Sequence, residues 1–324
     1  MKEPMTWSDD AATKSRRSFL RRVGSTSAAL WLWPGGTRAE APSEADRVAE
    51  VQASGRAAGL GPFRVARAER FLGVGDAPDP FRKAALEICG ALGRIFLSDL
   101  RARGFKLDYP AERMMVVVLK DSRSYEALLG EAPGADVGGH FDLNSNRLVI
   151  FDFRPGREAT PGAERMNTFT LVHETVHLLS FNTGLLSLDR EPPNCVAEGL
   201  ATCFEMWRPR NRVGVAAINR PRLLAIRESD EPWIETADLL ADDAHLDREA
   251  TAQRAYGQSW LLVYSMLKNR PDHSKFRAYL EEIRTSGATA DRLKTAEKHL
   301  GSLTKLDQRL QSEARSLLRG LPPS

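Results

Sequence analysis

Two histidines four residues apart, His173 and His177, with Glu174 beside the first, limit this chain more than any other feature of it. The spacing is about one helical turn, so on a helix both imidazoles stand on one face, one above the other. Two imidazoles so placed can grip one Zn²⁺, and a glutamate next to the first can act on a water beside the metal. The pattern carries this meaning only if the segment is helical, and its surroundings say that it is. Thr160-Pro161 reads as a helix start, with Thr as the cap and Pro in the first turn. Asn182-Thr183-Gly184 reads as a stop. Between them Phe169, Val172, Val176 and Leu179 fall at helical spacing. The two histidines therefore lie on or beside the buried face of a helix about five turns long.

A catalytic zinc site takes three protein ligands and keeps one position open. The third candidate is Glu198, in Val196-Ala197-Glu198-Gly199-Leu200-Ala201. Pro192-Pro193 suits the start of a second helix. A connection from Gly184 to Arg190 then brings Glu198 back beside the histidine pair. An ordinary exposed glutamate is the plain alternative, but its neighbours are small and apolar. A carboxylate among such residues is costly without a partner, and a metal is such a partner.

The run His173-Glu174-Thr175-Val176-His177-Leu178-Leu179-Ser180-Phe181-Asn182-Thr183-Gly184, followed by Pro193 and Ala197-Glu198-Gly199-Leu200-Ala201-Thr202-Cys203-Phe204-Glu205, resembles the gluzincin group of zinc metallopeptidases. It is most similar to an uncharacterised, exported bacterial branch, the domain of unknown function 1570. The resemblance implies one Zn²⁺ per chain held by His173, His177 and Glu198, with Glu174 as general base. It implies a zincin-like domain with an HExxH helix. Cys195 and Cys203 stand where that branch tends to carry aromatics, a difference of packing and not of ligands.

The N-terminus reads as a targeting segment. Ser15-Arg16-Arg17-Ser18-Phe19-Leu20 is a twin-arginine pattern, Val23 to Trp33 is a modest apolar stretch, and Ala39-Glu40-Ala41 has the small-x-small form of a cleavage site. Residues 1–41 are thus expected to be a signal that sends the protein to the periplasm or outside the cell. No other run approaches the ~18 apolar residues of a membrane span. Seven of 46 basic residues and four of 43 acidic ones fall in residues 1–41, leaving 39 of each sign. The remainder is formally neutral, with no electrostatic case for nucleic acid or an anionic membrane surface. Three cysteines, two of them too far apart on one helix to bridge, argue against a disulfide framework.

The rest of the chain is organised around the motif. Residues 42–61, rich in Ala, Gly and charge, read as a linker, and 62–324 as one domain. Its part 62–160 is strand-rich: Phe63–Leu72 and the apolar run Met114–Leu119 read as strands. Val137–Asp142 and Arg147–Asp152 flank Asn144-Ser145-Asn146, a hairpin signal. Pro80–Arg103 and Ser122–Leu129 read as helices, and the part 161–324 is helical, most clearly over Glu249–Lys268. Strands followed by helices indicate an α+β fold with a small mixed or antiparallel sheet. In gluzincins the edge strand before the HExxH helix lies along the cleft and binds peptide as an added strand. Gly138, Gly139 and His140 are therefore candidates for substrate contact, against the simpler reading of a bulge and a solvent-facing residue.

Further roles follow from position. Tyr256, in Tyr256-Gly257-Gln258-Ser259-Trp260, is the candidate donor to the oxyanion, since gluzincins use a Tyr or His from a later helix; core packing is its alternative. Glu205, seven residues after Glu198, could orient a ligand histidine from behind; Asn182 could do the same or only cap the helix, and Gln258 could stand behind the site or be plain polar surface. Two functions fit: an exported zinc-dependent hydrolase acting on a peptide or protein, and a zinc-stabilised binding or scaffold protein with little turnover. Glu174 favours the first, because a structural site needs no base.

Overall fold

A continuous apolar run has no polar face to turn to water, so Met114–Leu119 belongs in a sheet covered on both sides. The computed structural model describes residues 42–134, 137–153, 161–209, 217–285 and 291–321, and in it this run is the middle strand of a five-stranded sheet. The strands are β1 (Arg64–Arg67), β2 (Phe71–Gly75), β3 (Met114–Leu119), β4 (Gly139–Asp142) and β5 (Arg147–Phe151), in spatial order β1-β2-β3-β5-β4. The three central strands are parallel, and β1 and β4 are antiparallel edges. Alternation divides β3, with Met114, Val116 and Val118 on one side and Met115, Val117 and Leu119 on the other.

Helices cover both faces. The long amphipathic α2 (Asp79–Ala102) and the motif helix α4 (Pro161–Asn182) lie over the first, through Leu86, Cys89, Phe96, Val172 and Val176. The second is covered by α1 (Glu44–Ala57) and α3 (Ser122–Leu129), through Val51 and Tyr125. Beyond the sheet the described chain is helical: α5 (Asn194–Phe204), α6 (Arg220–Glu228), α7 (Thr236–Ala241), α8 (Ala244–Asp247), α9 (Glu249–Lys268), α10 (His273–Thr285), α11 (Arg292–Leu300) and α12 (Leu303–Arg319). The architecture is thus mixed α+β with a small mixed sheet. Among the described residues no helix is long and apolar enough to cross a membrane. The targeting segment 1–41 and the cap residue Thr160 lie outside the described residues.

Two expectations are corrected. Most of the expected linker, 42–61, is helix α1. Ser43 and Asp46 cap it reciprocally, side chain to backbone in each direction, at 3.2 and 3.1 Å. Its amphipathic signal is faint because only Val51 and Gly55 are buried. A Cβ at Gly55 would stand 2.7 Å from the Phe63 ring. The expected strand Phe63–Leu72 is instead two strands joined by a tight turn, with Arg67 opposite Leu72 and Ala68 N–H donating to the Phe71 carbonyl at 2.9 Å. The turn Ala68-Glu69-Arg70 has no Gly, Asn or Pro to announce it.

Every residue of α5 from Cys195 to Phe204 is buried, and α9 packs directly across it. The approach is close because residue 199 has no side chain. A Cβ there would fall 2.4 Å from the Ser259 carbonyl oxygen and 2.5 Å from Val263 Cγ2. Gly199→Ala is expected to force the helices apart and cost about 1–3 kcal/mol, the usual penalty of overpacking. Urea unfolding measures it, and an unchanged midpoint would mean that the two helices separate freely.

Candidate metal centre

The motif helix presents its two histidines inward, towards α5. His173 and His177 are both buried, and their Nε2 atoms lie 3.2 Å apart. Glu198 reaches them from α5, with Oε2 at 3.1 Å from His173 Nε2 and Oε1 at 3.5 Å from His177 Nε2. One donor atom from each of the three lies within 4.8 Å of the others. The spacing can be tested against a metal. Two ligands about 2.0–2.1 Å from a tetrahedral zinc are about 3.3 Å apart, close to the separation of the two ring nitrogens. The nitrogen–nitrogen–oxygen donor set also suits zinc.

Behind His173 stands a second carboxylate. Glu205, just past the end of α5, is fully buried, and its Oε1 accepts from His173 Nδ1 at 2.8 Å. A carboxylate can only accept, so Nδ1 carries the proton and Nε2 is turned towards Glu198. Burial opposes charge on Glu205, but Arg222 and His173 outweigh it and hold its pKa low. Arg222 Nε and Nη2 grip the two carboxylate oxygens at 2.9 and 2.6 Å, and Asn219 Nδ2 adds a bond of 2.7 Å. Burial likewise opposes charge on Glu198 and on His173. The facing histidines still keep Glu198 well below the usual carboxylate range, and the two glutamates raise His173 to about 9. The residue pattern gave no warning of Arg222 or Asn219. The Asn219-Arg220-Pro221 sequence announces a helix start, but not that Arg222 turns inward beside its exposed basic neighbours.

Glu174 lines a cleft of about 390 Å³ together with His173, His177 and Glu198. Its Oε2 accepts the Phe141 backbone N–H of edge strand β4 at 2.8 Å. Tyr256, half-buried on α9, also lines the cleft, its ring 5.0 Å from the Arg222 guanidinium carbon. His140 lies on β4, buried and not solvent-facing; it lines the cleft, as does Tyr125 of α3, which meets its Nδ1 at 2.8 Å. Burial lowers its pKa to about 4, so it is uncharged at neutral pH.

The remaining expected site residues have other partners. Gly139 lines the cleft, yet the need for a glycine there is internal: φ is +155° and a Cβ would stand 2.4 Å from the Val149 carbonyl oxygen. A Cβ at Gly138 would come within 3.3 Å of Thr170 on the motif helix. Asn182 does not orient a ligand. It exchanges amide hydrogen bonds of 2.7 and 2.8 Å with Asn146, clasping the end of α4 to the β4–β5 turn. Gln258 does not reach the histidines either. Its amide pairs with the backbone N–H and carbonyl of Ile234 at 3.0 and 2.6 Å.

Fold and site together define a mixed α+β protein with a buried His-His-Glu group that could hold a metal ion, open to a cleft beside an edge strand. Residues 167–288 match the model of a family described as protein of unknown function (DUF1570). The matched span runs from α4 into residues beyond α10 and contains His173, His177, Glu198, Glu205, Arg222 and Tyr256. No curated protein matches the chain.

Proposed function

We propose that this protein is an exported zinc-dependent peptidase with a gluzincin-like zincin domain. The observation that carries the reading is Glu174. It is a carboxylate that stands in the cleft beside the three converged donors and bonds an edge strand instead of a donor atom. In this reading His173, His177 and Glu198 hold the ion, and Glu205, anchored by Arg222, keeps the His173 ring in place. A zinc ion bound there would acidify a water and polarise the scissile carbonyl. Glu174 has the role of general base: it would accept a proton from the attacking water and hand it to the leaving amine. Tyr256, at the cleft wall, donates to the oxygen that gains charge. An extended peptide is held along the free edge of β4, through backbone groups other than the Phe141 N–H that Glu174 occupies.

Metal analysis of the purified protein, alongside cleavage of a peptide library, tests the reading. About one zinc per chain is expected. His177→Ala is expected to lose both the metal and the cleavage, since two remaining ligands cannot hold a catalytic ion. Wild-type protein without zinc affinity would end the proposal.

The export route is a proposal of its own, resting on residues 15–41. An Arg16→Lys, Arg17→Lys double change keeps both charges and is expected to strand the protein in the cytoplasm, because the receptor reads the guanidinium pair. Fractionation checks it, and continued export would point to a different route.

A further inference from the structure

The layer between the sheet and helices α1 and α3 is built largely of apolar side chains, among them Leu72, Val74, Met115, Val117, Leu119 and Phe151. Into this layer β4 sends a histidine. Alternation along the strand turns Phe141 towards the motif helix, where its ring stacks on Phe181 at 5.7 Å. The same alternation turns His140 the opposite way, onto Tyr125, where both side chains also border the cleft. Apolar side chains would fill the space without the penalty that a broken polar pair brings.

The position of the pair suggests its use. β4 is a four-residue edge strand paired with β5, and it begins at Gly139, whose backbone is left-handed. Its Phe141 N–H faces outward, and Glu174 is the group it bonds. That bond of 2.8 Å leaves the useful range if the strand drifts by about 0.7 Å. Tyr125 ties the preceding residue to α3, so three links run from α3 to the carboxylate: hydroxyl to imidazole, His140 to Phe141 along the chain, and amide to Glu174.

We propose that Tyr125 and His140 are positioning residues for Glu174, acting through the Phe141 amide. The inference rests on Glu174 being the base of the proposed reaction, but half of its test does not. Site-resolved amide exchange on isotope-labelled, zinc-supplemented protein reads the strand directly. Phe141 N–H is expected to exchange slowly in wild type and quickly in Glu174→Ala. Tyr125→Phe and His140→Leu are expected to speed it about tenfold while the β3 amides stay as they were. His140→Asn puts an acceptor at the same distance along the side chain as Nδ1, and is expected to restore most of the protection. In peptide cleavage, Tyr125→Phe is expected to lower kcat about tenfold with KM unchanged, since a misplaced base acts in the transition state.

Wild-type exchange of Phe141 in Tyr125→Phe overturns the inference, and so does uniform acceleration across β3, β4 and β5. The expected exchange pattern in a protein that cleaves no peptide keeps the positioning and overturns the peptidase reading alone.

Discussion

Glu174→Gln is expected to lower peptide hydrolysis about 10²–10⁴-fold, the usual worth of general acid–base catalysis, with zinc content and melting temperature close to wild type. The substitution is nearly isosteric. The glutamine carbonyl can still accept the Phe141 N–H that Glu174 holds at 2.8 Å, so the edge strand keeps its contact. The group that could hold the ion is His173, His177 and Glu198, without Glu174, so metal binding in the proposed reading has no reason to change. What disappears is the ability to take a proton, and the loss should therefore fall on kcat with little change in KM. Steady-state cleavage and metal analysis on the same preparation check it. Equal hydrolysis by both proteins across a broad peptide library would sink the enzyme reading and leave a zinc-stabilised binding protein.

Arg222→Met is expected to be the most damaging change away from the donors, costing about 3–5 kcal/mol, as when a buried ion pair loses one partner. Glu205 is fully buried and takes two of its hydrogen bonds from Arg222. Without the guanidinium, the hydrogen bonds left to its charge among the described residues are those of His173 and Asn219. His173 is then less firmly oriented, and zinc affinity is expected to fall about 10–100-fold, as for other groups that hold a metal ligand from behind. Adding Glu205→Gln removes the stranded charge, so the double variant should regain part of the stability while zinc affinity stays low. Urea unfolding and competition against a chelator measure the two effects. A single variant as stable as wild type would mean that Glu205 is not held by Arg222.

The parts that were legible in the sequence are those whose signals are local. Met114–Leu119 announces a buried strand and Glu249–Lys268 a helix by their own patterns, and both occur with those bounds. The histidine pair and Glu198 were legible because each sits in a run whose period and neighbours speak for a helix. What the sequence hid depends on distance or on weak signals. Helix α1 buries too little apolar surface to show a period. Arg222 lies 17 residues beyond Glu205, and its inward turn depends on how α6 packs on α9 and so reaches Glu205. His140 looked like a solvent-facing strand residue because nothing nearby in sequence reveals that α3 covers that side of the edge. Gln258 and Asn182 show the converse: polar residues near a motif in sequence were matched by the fold to a loop and a turn.

The span of chain that builds the His-His-Glu group has a kinetic meaning. Both histidines, Glu198, Glu205, Asn219 and Arg222 fall between positions 173 and 222, and the contacts among them close loops of 4 to 32 residues. The bond from Arg277 to the Arg103 carbonyl closes 174. Closure cost rises with loop length, and long-range pairings are the slow steps of folding. The cluster is therefore favoured to gather early, as a local nucleus around which α9 and the last helices dock. A metal ion present at that moment would stabilise the folding chain as well as the finished protein.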